Sequence, residues 1–264
     1  MNAVLLLRGG TEALAWLGAS IVGYLSAISA TFLVAQRFNG IGRWSRAEVV
    51  FMLGYAMLVN ALLEMFASYN VRMISRRIGR GQLDHTLLQP QPLWLSLATE
   101  GFAPLDEAAA VLIAAALMAW SSHAAGVRGG LEWTVLLALN VAASMVVLLA
   151  FQYGWGSVAF WAPRSAEEIN SSSSRFTTQL SGLPLDSVGP ALRDSLLTAI
   201  PVGLLAWFPC RALLGVSPRV PFGTFLTPAV AIILGAVALW LFHRGLRHYV
   251  RTGSNRYLAF GHRR

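Results

Sequence analysis

The ionisable side chains of this sequence are not arranged for catalysis. All 20 basic residues are Arg, since the sequence holds no Lys, and this excludes a Walker A loop and any Lys Schiff base. The 5 His residues show no metal-ligand spacing, and the single Cys cannot supply a pair of thiolate ligands. Asp106 and Glu107 are adjacent, so their carboxylates would point about 100° apart on a helix. We therefore expect no catalytic site, no metal site and no cofactor bound by this chain.

The segment 71–92 carries cationic side chains at a spacing suited to binding. On a helix, Arg72, Arg76 and Arg80 share one face, while apolar side chains occupy the opposite face. Gly81 predicts the end of this helix, and the prolines that follow prevent a quick restart. Two interpretations remain open: a helix on the membrane surface whose arginines reach the headgroups, or a docking element for a cytoplasmic partner.

A second pair of polar residues, Asn60 and Glu64, lies in an otherwise apolar stretch and on one helix face. An ionised carboxylate inside a membrane is costly unless it is paired or hydrated, so such residues often belong to a transport path. One interpretation is that Asn60 and Glu64 line or gate a translocation path. The other is that Glu64 lies near the cytoplasmic end of its helix, within reach of Arg72.

These side chains must be positioned by helices that cross a membrane. Hydrophobic residues make up 56% of the chain and charged residues 12%, against about 25% charged in a soluble domain. About 20 apolar residues span the hydrocarbon core as a helix, and several stretches of this kind are nearly free of charge. We predict an all-α polytopic membrane protein, with six transmembrane helices and amphipathic cytoplasmic helices in a single domain over residues 1–264. The predicted spans are residues 13–36, 49–70, 108–127, 133–162, 194–210 and 220–243.

Two of these spans have features that leave their course open. Two prolines lie in the fifth span, so a kinked, tilted or partly re-entrant course is expected there. The fourth is longer than one straight span requires, so it could tilt, extend beyond the bilayer or change direction near Gly154 and Gly156. The polar tract 171–174, in the connection 164–194, predicts a flexible linker.

The distribution of Arg predicts that both termini are cytoplasmic. This orientation places 14 of the 20 arginines inside, as the positive-inside rule expects. It puts the connection 164–194 inside and the loop 37–48 outside. The net charge of +8 is then explained by anionic membrane lipid, and no nucleic-acid-binding motif is present. We expect membrane lipid as a partner and no nucleic acid.

The stretch 78–90 also resembles a known family. Its sequence, IGRGQLDHTLLQP, looks like the cytoplasmic loop of ABC exporter permeases of the type-two branch. More narrowly, it resembles a six-span bacterial subfamily whose loop reads roughly I-x-x-G-x-L-D-x-x-L-L-x-P. Three further stretches resemble this family in the same order, so that the resemblance covers nearly the whole chain: residues 41–45, Phe160-Trp161 followed by residues 182–185, and residues 240–253.

This resemblance implies the permease subunit of an exporter in the bacterial cytoplasmic (inner) membrane. The chain would form half of the translocation path and pair with a second permease, either another copy or a paralogue. A separate cytoplasmic ATPase subunit would bind ATP and Mg. The segment 71–92 would then be the loop that couples to the ATPase, and Arg76 and Arg80 would precede its turn. The residues that match the family pattern in this loop are Gly81, Leu83, Asp84, Leu88 and Pro90, whereas Gln89 stands where many relatives carry a basic residue.

Two other functions fit parts of the sequence. A secondary transporter driven by an ion gradient would need mid-membrane ionisable groups and internal repeats, but Glu64 is the one such group and no clear repeat is visible. An integral membrane enzyme that processes lipids would need a nucleophile with its base, or a metal site. The transported substrate cannot be predicted from the sequence.

Overall fold

The computed structural model describes residues 10–67, 69–100, 107–127, 129–216 and 221–253, and these are almost entirely helical. Two short strands, β1 (Gly40–Ile41) and β2 (Trp44–Ser45), form an antiparallel hairpin. The helices are α1 (Gly10–Arg37), α2 (Arg46–Phe66), α3 (Tyr69–Arg72), α4 (Ile74–Gly79), α5 (Gln82–Leu87), α6 (Leu93–Glu100), α7 (Ala108–Ala124), α8 (Leu131–Ser157), α9 (Pro163–Leu180), α10 (Pro190–Thr198), α11 (Trp207–Leu214) and α12 (Gly223–Thr252). Short 3-10 helices span Val158–Phe160, Leu185–Ser187 and Pro201–Leu204.

Three of the described helices are long and apolar enough to cross a membrane. They are α2, α8 with its 3-10 continuation to Phe160, and α12. Helix α7 is also apolar but has 17 residues, and the first predicted span lies within α1, which has 28. This architecture confirms an all-α membrane protein, while the number of six spans stays a prediction.

Helix α2 is central to the packing because apolar residues occupy nearly its whole circumference. A capping box fixes its start: the Ser45 hydroxyl accepts from the Glu48 N–H, and the Glu48 carboxylate accepts from the Ser45 N–H. Helix α7 packs antiparallel to α2, with Met118 against Gly54 near one end of the pair. Helices α8 and α12 lie side by side and parallel, because Asn140 donates to the Thr224 carbonyl at 3.0 Å near the start of α12 and Tyr153 packs on Phe242 further along both helices.

Helix α9 runs back along α8, antiparallel to it. At one end of α9, Asn170 donates to Ser75 at 3.1 Å, and at the other Gly182 lies against Leu53. At about 1.5 Å per residue its 18 residues cover about 27 Å. We call the end of the bundle that holds α4 and α5 the loop end, and the end that holds β1 and β2 the hairpin end. Helix α9 connects the two.

The predicted fifth span, residues 194–210, is not one helix. It falls into the end of α10, the 3-10 helix Pro201–Leu204 and the start of α11. This region lies at the hairpin end, where Asp186 accepts from the indole N–H groups of Trp44 at 2.6 Å and Trp207 at 2.8 Å. The sequence predicts that the connection 164–194 and the loop 37–48 lie on opposite sides of the membrane. This is wrong for Asp186, which contacts Trp44.

The tract Ser171–Ser174 is helical, so the prediction of a flexible linker is wrong. It lies within α9, where the Ser171 hydroxyl donates to the Glu168 carbonyl and the Ser173 hydroxyl to the Asn170 carbonyl. Gln152 of α8 donates to the Ser174 hydroxyl at 3.2 Å. Hydroxyl groups that are satisfied in this way let a serine-rich segment remain helical beside apolar helices.

Helix α8 is continuous through Gly154 and Gly156, and a Cβ at Gly156 would lie 2.4 Å from the Ile74 side chain, so this glycine permits close packing. The predicted basic helix over residues 72–80 is interrupted at Met73, which separates α3 from α4. Arg72 therefore does not share one helix with Arg76 and Arg80.

Candidate functional site

The loop end is built around a sharp turn between α4 and α5. Arg80 closes α4, and its N–H donates to the Arg76 carbonyl at 3.0 Å. Gly81 then adopts a left-handed conformation with φ of 71°, which glycine takes without the clash that a Cβ would cause. The sequence thus predicted the end of the helix at this turn, but the expectation that no helix restarts quickly is wrong, since α5 begins at Gln82. The turn places α4 and α5 at an angle to one another at the end of the bundle.

The residues of α5 that match the family pattern point in two directions. Leu83 is fully buried, and Asp84 accepts a hydrogen bond of 2.5 Å from the Tyr249 hydroxyl near the end of α12. Leu88, by contrast, has 85% of its surface exposed, and Pro90 is also exposed. One face of α5 is therefore fixed to the bundle, while the end of the loop presents an apolar side chain outward.

An aromatic cluster connects this loop to the ends of α8 and α12. The Phe160 ring lies 5.6 Å from both the Phe242 ring and the Tyr249 ring. Gly245 makes room for it, since a Cβ there would lie 2.1 Å from the Phe160 ring. Residues 160–161 and 240–253, which resembled the family separately in the sequence, are thus in direct contact.

Tyr249 is the functional candidate that the sequence analysis did not select. Its hydroxyl holds Asp84, and its ring packs on Phe160. The signal was present in the spacing of Phe242, Gly245 and Tyr249, which repeat along one face of the last helix. That spacing by itself does not reveal which segment lies opposite.

The arginines of α4 make ion pairs with two other helices. Arg76 pairs with Glu167 of α9 at 3.0 Å. Arg77, which the sequence analysis did not select, is buried and pairs with Glu100 of α6 at 2.8 Å. Arg80 is exposed and makes no ion pair with a described acid. Ion pairs thus hold α4 to two neighbouring helices, and the Arg80 guanidinium remains accessible beside the turn.

Glu64 forms an ion pair with Arg72, as the second interpretation of that residue requires. Arg72 is buried and also donates to the Ala67 carbonyl at 3.1 Å. Burial lowers the pKa of Arg72 to about 10, and the Glu107 carboxylate opposes this shift by favouring the charged form. Arg72 therefore stays protonated at neutral pH and compensates Glu64.

Asn60 and Glu64 also line a cavity of about 410 Å³ between α2 and α9. Thr178 and Gln179 contribute from α9. A second cavity of about 280 Å³ shares Glu64, Thr178 and Gln179 with the first and extends toward Arg72. The two cavities together form a cleft along these helices, with apolar walls at Leu53 and Met57 and polar walls at Glu64 and Gln179.

The outer surface of α9 continues this polar character. Glu168, Ser172, Arg175 and Gln179 are exposed at spacings that place them on one face of the helix. Helix α12, in contrast, exposes apolar side chains such as Ile232 and Val237. The exposed surfaces of α9 and α12 are therefore suited to different surroundings. Within the described ranges, no group of three or more His, Cys, Asp or Glu side chains is placed to hold a metal ion.

Comparison with known proteins identifies one family. The family model described as ABC-2 family transporter protein matches residues 21–253. No curated protein and no solved structure matches the chain. The matched range includes the loop end, the cleft between α2 and α9, and the aromatic cluster.

Proposed function

The chain belongs to the ABC-2 transporter family, and on this basis we propose that it is the permease subunit of an ATP-driven exporter. It is a membrane-embedded component of an ABC transporter. In the proposed assembly it forms half of the translocation path, and a second copy or a paralogue forms the other half. The ATPase is a separate cytoplasmic chain that binds ATP and Mg, in agreement with the absence of Lys here.

The arrangement of α5 is the observation that carries the coupling role. Leu88 offers an exposed apolar contact at the end of the loop, and Gly81 and Pro90 delimit it. Behind this surface, Asp84 is hydrogen-bonded to Tyr249, and Leu83 is buried in the core. A partner that moves Leu88 would therefore also move the end of α12. We assign residues 71–92 as the element that couples the ATPase to the membrane helices.

The cleft between α2 and α9 supports a translocation path. The charged groups Glu168 and Arg175 on the exposed face of α9 would be costly in contact with lipid chains. This free-energy cost of burying charge is avoided where the exposed face of α9 contacts water or a second permease. Asn60 and Glu64 line the same cleft, so we place them at the path, with Glu64 held by Arg72. We further propose that the complex resides in the bacterial inner membrane with both termini cytoplasmic.

Substitution of Leu88 tests the coupling role. Leu88→Glu leaves the folded core intact because the side chain is exposed, but it puts a charge into the proposed contact. Loss of one buried Leu contact corresponds to about 1.5–3 kcal/mol, or roughly a tenfold to hundredfold weaker association. The tagged chain is purified in mild detergent, and the amount of a Walker A-containing, ATP-hydrolysing subunit that remains bound is measured.

Leu192→Glu is the matched control, because Leu192 is also exposed but lies on α10, far from the loop end. We expect the control to retain the ATPase and Leu88→Glu to lose it. Equal retention by both variants would contradict the coupling role. A proteoliposome assay with a pH gradient and no ATPase separates the alternative, because a secondary transporter would still drive transport.

A further inference from the structure

The inner side of the loop contains a cavity that the proposed coupling role does not use. It measures about 460 Å³ and lies between α4, α5 and the end of α6. Arg76, Arg77 and Arg80 line it, together with Gln82, His85 and Glu100. Three guanidinium groups thus line a space in the range of small-ligand sites, and of these Arg76 is paired with Glu167 and Arg77 with Glu100. The cavity is distinct from the cleft between α2 and α9.

Arg77 gives this cavity a charge that the protein compensates only in part. The side chain is more than nine-tenths buried, and its Nη2 donates to Glu100 at 2.8 Å and to the Thr86 hydroxyl at 3.2 Å. Its Nε and Nη1 are buried and have no hydrogen-bond partner among the described residues. Glu100 is itself half exposed, so its charge is screened by solvent. A buried cation with incomplete compensation favours an anion nearby.

The accessible donors at the cavity suit a phosphate group. Arg80 is exposed and makes no ion pair with a described acid, so its planar guanidinium is available for a bidentate contact. Gln82 and His85 add hydrogen-bonding groups at the rim. Tetrahedral anions accept several such donors at once, whereas a single carboxylate accepts fewer.

The position of the cavity indicates where such an anion would come from. Trp94 on α6 has 70% of its surface exposed, and tryptophan favours the level of the lipid headgroups. The ion pair of Arg72 with Glu64 lies at the end of α2, so the cavity follows directly after a candidate span. Basic pockets at this level of a membrane protein bind anionic headgroups.

We propose that this cavity binds a phosphate group and that the anionic headgroup of a membrane phospholipid occupies it. The headgroup neutralises the charge that Arg77 brings to the wall, and Arg80 closes on it from the accessible side. The cavity adjoins the proposed contact with the ATPase, because Gln89 lies in its wall, but Leu88 itself does not line it. The lipid thereby stabilises the turn that carries the loop.

Thermal unfolding of the purified chain in mixed micelles tests this site. Phosphatidylglycerol, phosphatidylcholine or inorganic phosphate is added, and the unfolding midpoint is followed as a function of its concentration. We expect phosphatidylglycerol to raise the midpoint and phosphatidylcholine to have no such effect. Arg80→Gln, chosen because Arg80 is exposed, should need roughly tenfold more phosphatidylglycerol. Arg193→Gln removes the same charge at α10 and should behave like the unaltered chain.

The other outcomes are equally informative. Protection by inorganic phosphate alone, with the same dependence on Arg80, would support the phosphate site and overturn the headgroup as its occupant. Equal protection of all three proteins by phosphatidylglycerol would overturn the site itself. An Arg80→Gln protein that keeps its lipid response but loses the ATPase would also overturn it, because the cavity would then serve an acidic segment of the partner.

Discussion

The hydrogen bond between Tyr249 and Asp84 predicts a measurable energetic link between the loop and the last helix. Tyr249→Phe removes the hydroxyl but keeps the ring that packs on Phe160. Asp84→Ala removes the acceptor. A hydrogen bond to a charged group contributes about 1.5–3 kcal/mol, and since this one is partly exposed to solvent we expect about 1.5 kcal/mol. That difference corresponds to about a tenfold change in an equilibrium constant.

A double-mutant cycle isolates this contribution from the other effects of each substitution. The free energy of unfolding is measured in mixed detergent micelles for Tyr249→Phe, Asp84→Ala and the double variant. We expect the double variant to lose about 1.5 kcal/mol less than the sum of the two single losses. Losses that add to within about 0.3 kcal/mol would refute the link.

Asp194→Ala provides the control cycle with Tyr249→Phe, because Asp194 is an exposed acid on α10. This pair should be additive. The link also has a functional readout: Tyr249→Phe should bind the ATPase normally but couple ATP hydrolysis less efficiently to transport. A variant that loses ATPase binding altogether would show instead that Tyr249 only shapes the docking surface.

Two further predictions follow from the packing and the polar surface. Gly245→Ala places a Cβ 2.1 Å from the Phe160 ring and should lower the free energy of unfolding in detergent by about 1–3 kcal/mol. In the control Gly235→Ala the Cβ would lie 3.6 Å from Val146, so this variant should be nearly neutral, and equal effects of the two would contradict the packing argument. Ser172→Cys on the polar face of α9 should react with a membrane-impermeant maleimide in proteoliposomes, whereas Val237→Cys on α12 should not; the native Cys210 is buried and provides a silent background. Failure of Ser172→Cys to react would count against a water-filled path beside α9.

Local signals in the sequence were sufficient for the loop end. Gly81 predicted the turn because the left-handed conformation found there favours glycine, but the immediate restart of the helix at Gln82 was not predicted. The contact between Glu64 and Arg72 could also be anticipated from their spacing along the chain. In both cases the interacting groups are close in sequence.

Long-range packing decided the features that were missed. The sequence pattern did not predict α9 as a helix because its serines suggested a linker, although their hydroxyls are satisfied by carbonyls one turn earlier. It selected residues 194–210 because they are apolar, but this segment packs at the hairpin end in short pieces. Arg77 differs from Arg76 and Arg80 in burial, which depends on Glu100 of a separate helix.

The carboxylate of Asp186 has a mechanical consequence for the hairpin end. It accepts from two indoles at once, so it fastens the β-hairpin, the segment after α9 and helix α11 at a single point. Both indoles are almost fully buried, and neither N–H could find water if the carboxylate withdrew. Any opening of this end must therefore carry the three segments together as one rigid body or break both hydrogen bonds in the same step. Asp186 thus holds these three segments together, and a transport cycle that opens the hairpin end must place its hinge outside them.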